Sequence, residues 1–87
     1  DWARATIARL ADDCARLDAA AQSRGWTLVG GTPLFRLYET GDALAAQEVL
    51  ARGRIWSRVF QQKPGWLRLG LPGYEAEWSR VSAALSR

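Results

Sequence analysis

Ile7, Leu10, Cys14, Leu17 and Ala21 recur at steps of three and four residues, the spacing that stacks side chains on one face of a helix. Arg4, Asp12, Asp13, Arg16 and Gln22 fall mostly off that stripe. The pattern predicts a first helix from about residue 2 to Arg24, with Gly25 as its C-terminal cap. Such a helix is long beside the usual ~11–12 residues. It has the length to project beyond a small core and connect to another body. Cys14 lies inside the stripe and reads as a small core residue.

The period then changes from helical to alternating. Trp26 to Gly30 reads as a strand, and Gly31-Thr32-Pro33 as a break, since glycine and proline punctuate regular structure. Leu34 to Glu39 reads as a second strand, with Phe35 and Leu37 on one face and Leu34, Arg36 and Tyr38 on the other. Asp42 is placed to cap a second helix over Ala43 to Arg52, closed by Gly53. Arg54 to Phe60 follows as a third strand, in which Ile55, Ser57 and Val59 alternate against Trp56, Arg58 and Phe60. Gln61-Gln62-Lys63-Pro64-Gly65 reads as a turn. Trp78, Val81 and Leu85 mark a last helix.

The most informative stretch is the fourth strand, Gly65-Trp66-Leu67-Arg68-Leu69-Gly70-Leu71-Pro72. Leu67, Leu69 and Leu71 share one face, so Arg68 projects from the other, between Trp66 and Gly70. A guanidinium on a rigid strand suits two-pronged capture of a carboxylate, and it is equally compatible with a solvated sheet face.

The element order is therefore α-β-β-α-β-β-α. It predicts a single α+β domain over residues 1–87, a two-layer sandwich with a small, mostly antiparallel sheet and helices on one face. With the other face free, Arg36, Arg58 and Arg68 are expected to lie there, with Trp56, Trp66, Tyr38 and Phe60 nearby. So much aromatic surface on an open face points to a covering partner.

Composition narrows the chemistry. At 87 residues, 48% hydrophobic and 24% charged, the chain is a small globular domain. No apolar run approaches the ~18 residues of a membrane span. One cysteine rules out an internal disulfide and fits a reducing, cytoplasmic setting. With no histidine, a conventional zinc site and a Ser-His-Asp or Cys-His centre are both excluded. The net charge is only +3, and the glycine-aromatic signature of RNA-recognition sheets is missing. A stand-alone basic and aromatic RNA-binding module remains an alternative. Gly30-Gly31-Thr32 lacks the pattern of a phosphate-cradling loop and reads as a tight connection between strands. Methionine is absent, even at position 1, which leads to the expectation that the chain is a piece of a longer product.

Three segments carry a resemblance: Gly30-Gly31-Thr32-Pro33-Leu34-Phe35-Arg36-Leu37, Arg54-Ile55-Trp56-Ser57-Arg58-Val59-Phe60, and Pro64-Gly65-Trp66-Leu67-Arg68-Leu69-Gly70-Leu71-Pro72. Together they resemble the C-terminal region of the threonine-phosphate decarboxylases of cobalamin biosynthesis. These belong to the class I/II aminotransferases, fold type I of the pyridoxal-phosphate enzymes. The resemblance implies a C-terminal small domain that folds against a large domain of the same polypeptide, in an enzyme that is a homodimer at full length. It implies a carbon–carbon lyase acting on a small amino-acid phosphate, L-threonine O-3-phosphate, with no nucleic-acid or membrane partner. The small domain of a histidinol-phosphate-type aminotransferase is the alternative within the same group. Arg68 takes the position of the substrate-carboxylate arginine. Thr32, Arg36 and Arg58 are secondary candidates for anion binding. No catalytic, cofactor-binding or metal-binding residue is expected in this chain. The cofactor, pyridoxal 5'-phosphate, needs a Schiff-base lysine. The single lysine, Lys63, sits in a polar turn that lacks the surroundings which activate an amine. The domain alone is therefore expected to be inactive.

Overall fold

The strands β1 (Thr27–Thr32), β2 (Phe35–Glu39), β3 (Ser57–Phe60) and β4 (Lys63–Gly70) form one antiparallel sheet in the order β1-β2-β4-β3, with helices packed on one face. In this computed structural model, which describes residues 2–32, 34–73 and 75–86, the elements follow the predicted order. They are α1 (Trp2–Ser23), β1, β2, α2 (Ala43–Arg52), β3, β4 and α3 (Glu75–Leu85). Among the described residues, no helix is long and apolar enough to cross a membrane.

The core lies between the sheet and the helices. Leu67 and Leu69 of β4, Tyr38 of β2, Leu17 of α1, Leu50 of α2 and Trp78 of α3 are all buried. Alternation along β4 works as the sequence predicts: both leucines face the helices, and Arg68 faces away. The helix ends also follow their signals. The Asp42 carboxylate accepts a hydrogen bond from the Ala45 amide at 3.1 Å, and Gly25 takes φ +92° beyond the end of α1. Trp78, Val81 and Leu85 of α3 are buried together.

The first helix outruns the core. Leu17 and Ala21 are fully covered, whereas Ile7, on the same stripe one and a half turns from the start, is 66% exposed. The apolar face of α1 is thus used only in its C-terminal half.

Several boundaries differ from the sequence-based expectation. Gly31 and Thr32 belong to β1, opposite Arg36 and Phe35 of β2, so the glycine pair is not a loop; Pro33 lies outside the described residues. β3 starts at Ser57 because the amides of Arg54 and Ile55 bond back to Ala51 and Leu50 of α2, and Arg54 takes φ 60° in that exit turn. β4 starts at Lys63, leaving Gln61 and Gln62 as the turn. Pro64 is tolerated because the β3 register jumps there: Phe60 pairs with Lys63 and Val59 with Leu67, so no ladder bond from residue 64 is needed.

The largest correction concerns Arg36 and Tyr38. They pair with Leu69 and Leu67 and therefore lie on the helix-covered face, not on the free one. Asp18 of α1 makes this possible. Its carboxylate accepts Nε of Arg36 at 3.0 Å, a second guanidinium nitrogen at 2.7 Å and the Tyr38 hydroxyl at 2.5 Å. Both charged side chains are only 16% exposed. Burial disfavours the Asp18 carboxylate, but the Arg36 and Tyr38 hydrogen bonds and the Arg36 charge outweigh it and hold its pKa below the ordinary aspartate range. Burial and the hydrogen bond to Asp18 push the Tyr38 hydroxyl far up. The group clamps α1 onto β2.

Two predictions follow from this packing. A depressed Asp18 pKa contributes stability that is complete above the unfolded value and is lost as the pH falls below about 4 through the native value. Thermal melts of Asp18→Asn at neutral pH are expected to show a loss of about 2–4 kcal/mol. The variant's stability is also expected to fall less steeply than the parent's between pH 4 and pH 2, and parallel acid profiles would refute this role. At Gly31, a Cβ would lie 2.6 Å from the Phe35 carbonyl oxygen and 2.9 Å from the Arg36 Cα, both backbone of the paired strand. Gly31→Ala is therefore expected to cost about 1–3 kcal/mol in denaturant unfolding.

Candidate ligand-binding face of the sheet

The uncovered face of the sheet is built by the residues that alternate with the core. From β2 it receives Phe35 and Leu37, from β4 Trp66, Arg68 and Gly70, and from β3 Arg58. β4 lies between β2 and β3 and is hydrogen-bonded on both sides. Arg68 has Leu37 as its neighbour on one flank and Arg58 on the other. Its backbone is thus among the most constrained in the molecule, and only its side chain is free to move.

Three cations on this face lie over aromatic rings. The Arg68 guanidinium carbon is 4.9 Å from the Phe35 ring centre, Arg58 is 5.8 Å from Phe60, and the Lys63 amine is 5.2 Å from Trp66. Neither Arg58 nor Arg68 joins an ion pair among the described residues; the ion pairs there are Arg16–Glu75, Arg36–Asp18 and Arg52–Glu48. Two like charges directly opposite on neighbouring strands repel, and that repulsion is relieved by an anion held between them. A ring over the face of a guanidinium does not compete for its edges, which carry the N–H donors.

Beside the two arginines is a shallow depression of about 420 Å³, lined by Phe35, Trp56, Ser57, Arg58, Arg68 and Gly70. Trp56 stands at its rim, 92% exposed. The depression combines two guanidinium groups that have no ion-pair partner among the described residues with aromatic walls, a setting that can hold and orient a small anion.

Of the four residues singled out by sequence, the structure brings two together. Arg68 and Arg58 share the depression. Thr32 lies on the edge strand opposite Phe35, and its hydroxyl accepts the Leu34 amide at 3.1 Å. Arg36 is on the opposite face, bound to Asp18. Sequence inspection overlooked Phe35 as a neighbour of Arg68. Alternation sets it apart from Arg36 and Tyr38, but with those two expected on the free face Phe35 falls on the covered one; the β2–β4 register places it on the free face beside Arg68 instead. Asp18 was overlooked as well, since it carries no local signal beyond one acid on a long helix. Among the described residues, no three His, Cys, Asp or Glu side chains come together as metal ligands would.

No family model matches the chain. Curated relatives do. The chain is 43% identical over 70 residues to a threonine-phosphate decarboxylase from Pseudomonas aeruginosa, a match that covers 80% of this chain and 21% of that protein. It is 39% identical over 84 residues to a threonine-phosphate decarboxylase from Sinorhizobium sp, covering 97% of this chain and 25% of that protein. The chain therefore spans a quarter or less of the length of these relatives. Over most of its length it is related to one stretch of the threonine-phosphate decarboxylases.

Proposed function

We propose that this chain is the C-terminal small domain of a pyridoxal-phosphate-dependent threonine-phosphate decarboxylase, in which Arg68 binds the substrate carboxylate. The observation that carries the assignment of Arg68 is its position: a guanidinium on an interior, doubly hydrogen-bonded strand, facing an open depression, with no ion-pair partner among the described residues. A carboxylate accepts two parallel N–H bonds from such a group, which fixes its plane as well as its position. Arg58, directly opposite, supplies a second positive charge for the same doubly anionic substrate. Both relatives are threonine-phosphate decarboxylases, which favours a decarboxylase over an aminotransferase of the same group.

The residues described here do not fit the cofactor itself. Lys63 stands at the exposed start of β4 over the Trp66 ring. A Schiff-base lysine needs an enclosed site with a phosphate cup and a partner for the ring nitrogen. In this proposal the cofactor is held by the larger remainder of the enzyme, and the present domain contributes the anion-binding wall of a shared site. By itself the domain turns over no substrate.

In the full-length enzyme, Arg68→Ala is expected to raise the KM for L-threonine O-3-phosphate about 10- to 100-fold, the cost of losing a charge-assisted pair. The absorbance of the bound cofactor should not change. An unchanged KM would overturn the carboxylate role of Arg68.

A further inference from the structure

Phe35 and Gly70 face each other across β2 and β4 on the same side of the sheet as Arg68. The pair is asymmetric: one member is a large ring and the other has no side chain. The ring lies under the Arg68 guanidinium at 4.9 Å. At Gly70 a Cβ would meet nothing within 4 Å, so neither packing nor a positive φ demands glycine there. Both residues line the depression that the Arg68 side chain enters.

We infer that the Phe35–Gly70 pair sets the carboxylate-binding geometry of Arg68, with Phe35 as a shelf that fixes the guanidinium plane and Gly70 as the gap through which the carboxylate reaches it. The inference rests on the reading of Arg68 given above and adds two positioning residues to it. Its physical basis is the long arginine side chain. Four rotatable bonds separate the fixed strand from the guanidinium, and ordering them costs free energy each time a ligand binds. A ring under the cation's face holds that plane before the ligand arrives and leaves the N–H edge unoccupied. Leu37, the direct register neighbour of Arg68, is aliphatic and has no π-face to offer. Gly70 is the next residue on the same face of β4, two positions on, and lines the same depression as the guanidinium, so a large side chain there would take up part of it.

The test uses the full-length enzyme and two ligands that differ in the carboxylate: L-threonine O-3-phosphate, and its decarboxylated product, the amino-propanol phosphate. Phe35→Leu is expected to weaken binding of the acid about 3- to 10-fold, the range of one cation–π contact, and to leave binding of the product within about 2-fold. Phe35→Tyr, which restores a π-face, is expected to recover acid binding to within about 2-fold of the parent. Gly70→Val is expected to leave the melting temperature nearly unchanged while weakening the acid more than the product. Equal losses for both ligands in Phe35→Leu, or no loss for either, would overturn the inference, as would failure of Phe35→Tyr to recover acid binding. Arg68→Ala serves as the reference. If it discriminates between the two ligands and Phe35→Leu does not, the shelf is wrong and the Arg68 reading stands. If Arg68→Ala does not discriminate, both fall.

Discussion

Everything on the open face depends on the alternation of β4. Leu67 and Leu69 are buried beneath the helices, and each contributes about 1.5–3 kcal/mol by leaving water. Because strand side chains alternate with period two, seating those leucines forces Arg68 to the opposite side. A slip of one residue would expose both leucines and drive a guanidinium into the core, so the register is strongly specified. Ladders on both flanks of β4 add to this. The position of Arg68 is therefore set by the hydrophobic core, not by anything on the open face.

The same sheet holds two other arginines in very different states. Arg36 is under α1, where a buried guanidinium survives only with a matched acid. The Asp18 carboxylate accepts two hydrogen bonds from Arg36 and a third from the Tyr38 hydroxyl. Arg58 is opposite Arg68, with an aromatic ring as its nearest described support. Charge-assisted pairs are worth about 1.5–3 kcal/mol, against about 0.5–1 for an exposed cation–π contact. An incoming carboxylate cannot displace Asp18 from Arg36 without a large loss, whereas the ring contacts of Arg58 and Arg68 need not be broken at all.

Legibility in the sequence followed the range of the interactions. The helices, the Asp42 cap, the Gly25 stop and the faces of β4 depend on residues a few positions apart, and local spacing disclosed them. The boundaries that went astray depend on pairing: Thr32 is drawn into β1 by Phe35, and Lys63 into β4 by Phe60. Arg36 and Tyr38 were assigned correctly to one side of β2 but to the wrong layer. Nothing local says which side α1 will cover, and the deciding partner, Asp18, is eighteen positions away from Arg36. The Arg68 position was visible because its strand carries its own phase marker in the flanking leucines. Its shelf was not, since Phe35 reaches Arg68 only through the β2–β4 register.

Division of labour between the two faces also explains why so small a domain can carry an exposed cationic surface. The covered face gathers the buried side chains of all three helices and the one tightly bound acid–base cluster among the described residues. Stability is thereby located away from the depression. A residue such as Gly70 is then free of packing demands, and Arg58 and Arg68 can face each other at a modest repulsive cost screened by water. With these two guanidinium groups on the unpacked side, core packing places no demand on what stands beside Arg68.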